Sequence, residues 1–186
     1  MSYIIVGKSP FIHEIKDWSF TEKHTVICIN EVNPPCKVSY RVANDSNSHY
    51  KIAVKKFHDS IGGGIYHRKN YKTFKKNNPD LDLPITMLYD WSPDWNTSLI
   101  VPELYCRHTS IMAALNFIIK ENLHKRTLPN VYLIGVDFTW GNRGEWRIGE
   151  MCGAVGRVLE YMNLYRCNPQ EETPLSWLEY KDVKDL

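Results

Sequence analysis

Polar residues stand directly behind apolar runs at several places in this chain. YIIV (3–6) leads into Gly7-Lys8-Ser9, HTVICIN (24–30) closes on Asn30, KVSYRVAND (37–45) closes on Asn44 and Asp45, and VYLIGV (131–136) is followed by Asp137. If such runs are strands of one parallel sheet, their carboxyl ends line the edge where ligands bind, at the point where strand order reverses. Lys8 supplies a point charge suited to phosphate. Thr109-Ser110, ahead of IMAALNFIIKENL, supplies free helix N–H groups able to take an anion. Asp137 suits either a helix cap or a site acid. Together they suggest a ligand site on that edge.

Each part also has a purely structural reading. Gly7-Lys8-Ser9-Pro10 has neither the GxxxxGK[ST] spacing of a phosphate loop nor GxGxxG, and its composition equally suits a plain turn. Asn30 fits a strand-end turn, and Thr109 or Ser110 fits an N-cap. The seven histidines show no HxH or HExxH spacing, which argues against a structural zinc. Convergence of separate elements on one edge is therefore the signal, rather than any single motif.

The elements that must position these residues follow from the apolar pattern. Strands are expected at 3–6, 24–30, 37–45, 84–89 and 131–136, with shorter extended pieces at 98–102 and 164–167. Helices are expected over FIHEIKDW (11–18), over IMAALNFIIKENL (111–123) behind a Thr109 or Ser110 cap, and from about 146 to 161. Short apolar strands alternating with helices predict an α/β, Rossmann-like, mostly parallel sheet flanked by helices. The length of 186 residues suits a single domain over 1–186.

Charge is unevenly spread. The net charge is +2, yet residues 51–76 hold eight Lys or Arg against one acid, Asp59. With Phe57, Tyr66, Tyr71 and Phe74 interleaved, this stretch predicts a basic insertion or lid-like arm at about 46–83. It fits a grip on a nucleotide, a nucleic acid or an acidic glycan, or a solvated arm. Five cysteines without a CxxC pair, and no leader-like start, suggest reduced thiols in a cytoplasmic protein. No apolar stretch reaches the length of a membrane span.

YIIVGKSPFIHEI, VICIN, TSIMAALNFII and VYLIGVDF together resemble the bacterial lipooligosaccharide sialyltransferases, and also the related domain of archaeal 6-hydroxymethylpterin diphosphokinase-like proteins. The resemblance covers roughly 3–30 and 107–167. It implies that Gly7, Lys8, Ser9, Asn30, Thr109 and Ser110 line a nucleotide and donor-sugar site, with Lys8 where that family carries an asparagine. It also implies metal-independent transfer and no required cofactor beyond the donor. LYRCNP (164–169) resembles the strand and turn closing that domain. The family's lid, with its tyrosines and catalytic histidine, has no match after Asp137-Phe138, where only TWGNRGE precedes the last helix.

The expectation is thus a nucleotide-sugar-dependent glycosyltransferase. Glu145 is the candidate base for an acceptor hydroxyl, Arg143 the candidate partner for charge on the leaving nucleotide, and Asp137 the acid at the acceptor side. Trp140 and Trp146 flank this loop; His58 and His67 of the basic stretch are the other candidate bases. The acceptor is left open between an anionic glycan and a nucleic acid, as is homo-oligomerisation. Two other readings stand beside it: a nucleotide-binding module without catalysis, and a nucleic-acid-binding or -modifying protein using the basic arm. A diphosphokinase fits less well, because no carboxylate cluster for Mg²⁺ is evident.

Overall fold

The computed structural model describes residues 1–55, 62–89, 110–136, 145–169 and 173–186, apart from the side chains of 145–147, 150 and 151. Within them, seven strands form one sheet: β1 (Ser2–Val6), β2 (Thr25–Ile29), β3 (Tyr40–Ala43), β4 (Gly64–His67), β5 (Met87–Tyr89), β6 (Asn130–Ile134) and β7 (Asn163–Arg166). Every pairing is parallel, in the order β5-β4-β3-β2-β1-β6-β7. Four helices flank it: α1 (Ser46–Val54), α2 (Arg68–Asn77), α3 (Ser110–Asn122) and α4 (Glu145–Val158). The fold is α/β and Rossmann-like.

Continuous apolar strands make sense in such a sheet because both faces are covered. Tyr3 and Ile5 of β1 pack toward α3 and α4 with Ile27, Leu115 and Val155. Ile4 and Val6 point the other way, onto Phe11, Trp18 and Val38. Each fully buried isoleucine contributes about 1.5–3 kcal/mol of transfer free energy. A third cluster joins Ala43 and Tyr66 of the sheet to Ile52 and Ala53 of α1 and Phe74 of α2. α3 is buried almost all round, from Ser110 to Ile119, which its run of Ile, Met, Ala, Leu and Phe allows.

Two expected features come out differently. Residues 11–18 form one 3-10 turn, Pro10–His13, rather than a helix. Glu14 N donates to Phe11 O, three residues back, and Trp18 Nε1 turns back onto Ile15 O at 3.1 Å. Burying Phe11 and Trp18 beneath β1 and β2 wins over helical continuity. The segment 46–83, expected as an inserted arm, is built into the sheet. It carries α1, β4 and α2, and β4 pairs with β3 and β5. Lys69, Lys72 and Lys76 lie exposed on the outer side of α2, while Phe74 faces inward. The 98–102 piece lies outside the described residues.

At the far edge, the C-terminal segment covers β7. Arg166 and Tyr180 form a parallel bridge, and Lys181 N donates to Arg166 O at 2.9 Å. This occupies backbone groups that an open edge strand would present. No helix among the described residues is long and apolar enough to cross a membrane.

Candidate functional site

Strand order reverses between β1 and β6, and the two strands stay in contact past their carboxyl ends. Gly7 N donates to Ile134 O at 2.8 Å and Ser9 N to Gly135 O at 3.0 Å. A Cβ on Gly7 would lie 2.3 Å from Gly135 O, so only glycine fits there. Gly135 turns with φ at +65°, and its amide donates to Asn168 Oδ1, just beyond β7, at 2.7 Å. Ser9 and Asn168 are each 2% exposed, yet Ser9 Oγ and Asn168 Nδ2 have no hydrogen-bond partner among the described residues. Buried polar atoms are nearly always satisfied, so two orphans at the reversal point are what a polar ligand site would need.

The loop behind β2 is held as firmly. Asn30 has φ at +53°, the one non-glycine residue with positive φ among the described residues. Asparagine tolerates that region better than most side chains. Its amide donates to Val42 O at 2.7 Å, and its Oδ1 accepts from Ser110 Oγ at 3.1 Å. That contact ties β2 to the first residue of α3. Arg41 of β3 is fully buried and spans the loop from beneath. Its Nη1 donates to Asn30 O at 2.7 Å and to Val32 O, and its Nη2 reaches Asn33 Oδ1 at 3.4 Å. Burial pulls the guanidinium below its ordinary value, and the backbone carbonyls it meets offset part of that desolvation.

Glu31 follows, facing both neighbouring elements. Its Oε1 accepts from Lys8 Nζ at 2.8 Å and pairs with Lys51 Nζ at 3.5 Å. Partial burial works against its charge, but the Lys8 hydrogen bond, its own amide and the two ammonium groups outweigh that. They hold the carboxyl down at about 2. Lys8 and Lys51 thus share one carboxylate, and Ser48 Oγ links that carboxylate to Asp45.

Of the sequence-predicted site residues, Gly7, Lys8, Ser9, Asn30 and Ser110 come together on this edge. Asp45 is explained by capping: its Oδ1 accepts from Ser48 N at 2.7 Å at the start of α1. Asn44 O accepts from Asn70 Nδ2 at 2.7 Å. Thr109, Asp137 and Arg143 lie outside the described residues, as do His58 and Trp140. Glu145 opens α4, with its side chain outside them; so is that of Trp146. His67 is buried at the end of β4, its ring 5.8 Å from that of Tyr89.

Sequence reasoning passed over Glu31, Arg41 and Asn168. Glu31 carried the same signal that singled out Asp137, an acid just past a buried strand. Arg41 had no such signal, since its role depends on β3 lying beside β2. The four described cysteines are free. Among the described residues no group of three His, Cys, Asp or Glu is placed to hold a metal ion. Comparison of the chain with family models, with curated proteins and with solved structures found no match in any of the three.

Proposed function

We propose that this chain binds a nucleotide across the carboxyl ends of β1, β2 and β6 and transfers a sugar carried on it to an acceptor. The observation that carries the reading is the glycine elbow at the reversal point. Gly7 and Gly135 bring backbone close to any ligand there, with the Lys8 ammonium and a Ser9 hydroxyl that has no partner among the described residues. A phosphate would take a hydrogen bond from Ser9 and charge from Lys8. Asn30 and Ser110, already bonded to each other, would border the nucleoside and donor sugar. In this reading Glu145 accepts the acceptor hydroxyl's proton, Arg143 balances charge on the departing nucleotide, and Asp137 lines the acceptor side. The resemblance of YIIVGKSP, VICIN and VYLIGVDF to the sialyltransferases supports sugar transfer; the same stretches also resemble the diphosphokinase-like domain, for which the sequence shows no evident carboxylate cluster for Mg²⁺.

A thermal-shift screen of nucleoside monophosphates and CMP-, UDP-, GDP- and TDP-sugars tests it. A ligand at 100 times its Kd adds about 2.7 kcal/mol, a rise of roughly 5–10 °C for a chain of this size. Free nucleotide should then be released from the sugar donor that binds, with EDTA present. Silence across the whole panel refutes the proposal. Binding without release leaves a nucleotide-binding module.

The polyanion reading draws on the outer side of α2, where Lys69, Lys72 and Lys76 are exposed. Lys75 is not part of that face. It is engaged with Pro79 O, Leu81 O and Asp82 Oδ1 at 2.7–3.1 Å, closing the helix end. The face suits an anionic acceptor, whose binding would weaken as salt rises.

A further inference from the structure

We propose that Glu31 is the ribose-reading residue of this cleft: its Oε2 accepts from the vicinal 2′- and 3′-hydroxyls of a bound ribonucleotide, while Oε1 holds Lys8 toward the phosphate. The inference rests on the nucleotide reading above and adds the class of sugar that the nucleotide must carry.

Three observations converge on it. The first is place. In dinucleotide-binding Rossmann sheets, an acid about twenty residues beyond the GxGxxG turn reaches the ribose, because the nucleotide lies from the end of the first strand across the end of the second; the Gly7 turn lacks that spacing, but the same two strand ends adjoin here. Glu31 stands two residues past the end of β2, and β2 pairs with β1 in a register that sets Val6 beside Cys28. The Gly7-Lys8 turn and the Asn30-Glu31 turn are thus neighbours, and the 2.8 Å Lys8–Glu31 contact closes the gap between them.

The second is unused acceptor capacity. Both lysine contacts fall on Oε1. Oε2 is approached by Ser48 Oγ at 3.3 Å, but that hydroxyl lies closer to Asp45 Oδ2, at 2.9 Å. A serine hydroxyl has one proton to give, and the shorter contact takes it. Oε2 therefore keeps acceptor positions for other donors, and its side chain is still 21% exposed. One carboxylate oxygen has two lone pairs, one for each hydroxyl of a vicinal diol. Lys8, anchored on the other oxygen, serves the opposite end of the same ribose ring.

The third is rigidity. The left-handed Asn30 and the buried Arg41 hold the loop that carries Glu31 from both sides, so the carboxylate is placed before any ligand arrives. Preorganised placement is what discrimination by one or two hydrogen bonds requires. A plain tether for Lys8 would need the ion pair but not the open Oε2.

The test compares CMP, UMP, AMP and GMP with their 2′-deoxy and 2′,3′-dideoxy forms by calorimetry, on the native chain and on Glu31→Gln. The native chain should bind its preferred ribonucleotide about tenfold or more tighter than the deoxy form, as expected for hydrogen bonds to a charged acceptor. In Glu31→Gln that ratio should fall to within about twofold, chiefly through weaker binding of the ribonucleotide. The comparison on the native chain needs no variant, so it stands even if Glu31→Gln misfolds. Equal binding of ribo and deoxy forms by the native chain overturns the ribose assignment while leaving the nucleotide cleft intact. A preference that survives in a folded Glu31→Gln overturns the role of Glu31. Failure of every nucleotide to bind overturns the cleft reading and this inference with it.

Discussion

Replacing Gly7 by alanine should damage the molecule far more than one methyl group suggests. The added Cβ would stand 2.3 Å from Gly135 O and 2.8 Å from a Val136 methyl. The first obstacle is backbone, which cannot rotate aside. Reaching ordinary contact requires β1 and β6 to separate by about 1 Å at their ends, with the strain of an overpacked core, about 1–3 kcal/mol. That movement also stretches two hydrogen bonds, Gly7 N to Ile134 O and Ser9 N to Gly135 O, each contributing about 1 kcal/mol net. The expected loss is about 3–5 kcal/mol. Urea denaturation followed by circular dichroism reads it directly. With an m value of roughly 2 kcal/mol/M, the midpoint should fall by about 2 M. Gly149→Ala is the internal control. That residue lies on the exposed side of α4 with nothing within 4 Å of its Cβ position. Removing a helical glycine there should stabilise the chain by about 0.5–1 kcal/mol. A Gly7→Ala midpoint within about 0.5 M of the parent would mean that the two backbones do not abut, and the elbow argument would fail.

Acid stability provides another check. Glu31 has its carboxyl depressed to about 2 from an ordinary 4.5, so its contribution is present above about pH 4.5 and is lost as pH falls toward 2. After discounting for solvent screening at a partly exposed pair, about 1–2 kcal/mol should vanish across that window. Glu31→Gln should therefore show a flatter stability profile between pH 5 and 2 than the parent, and parallel profiles would contradict the ion-pair assignment. Arg41→Met should cost about 3 kcal/mol, because the carbonyls of Asn30 and Val32 lose a buried donor. The amides of residues 30–33 should also exchange faster with solvent, and a cost below about 1 kcal/mol would show that the loop holds itself.

The apolar strands were legible because burial on both faces leaves an unbroken mark. YIIV, VICI and VYLI read as strands and became β1, β2 and β6, and polar residues behind them marked the carboxyl edge of the sheet. β4 left no such mark. Its four residues, Gly64–His67, sit between Lys55-Lys56 and Arg68-Lys69 in the net-basic stretch, and that charge conceals a strand whose own residues are all buried. The apolar spacing at 11, 12, 15 and 18 was real, yet those side chains reach the core from an irregular loop. A periodic pattern records which residues are buried, and several backbone paths can satisfy it.

By itself, then, the order of residues determined the α/β class, the parallel character of the central strands and the identity of most of the edge: Gly7, Lys8, Ser9, Asn30 and Ser110. These follow from local physics, since strand burial and turn chemistry act over a few neighbouring residues. Tertiary structure decided what the edge residues face. The three nearest obstacles to a Cβ on Gly7 belong to Gly135 and Val136, across the β1–β6 seam. Nothing near Glu31 in the chain announces Lys8 and Lys51 as its partners, and Arg41 supports Asn30 because β3 lies beside β2. Those contacts join residues far apart in the chain, and only the pairing of strands brings them within the few ångströms over which sterics and hydrogen bonds act.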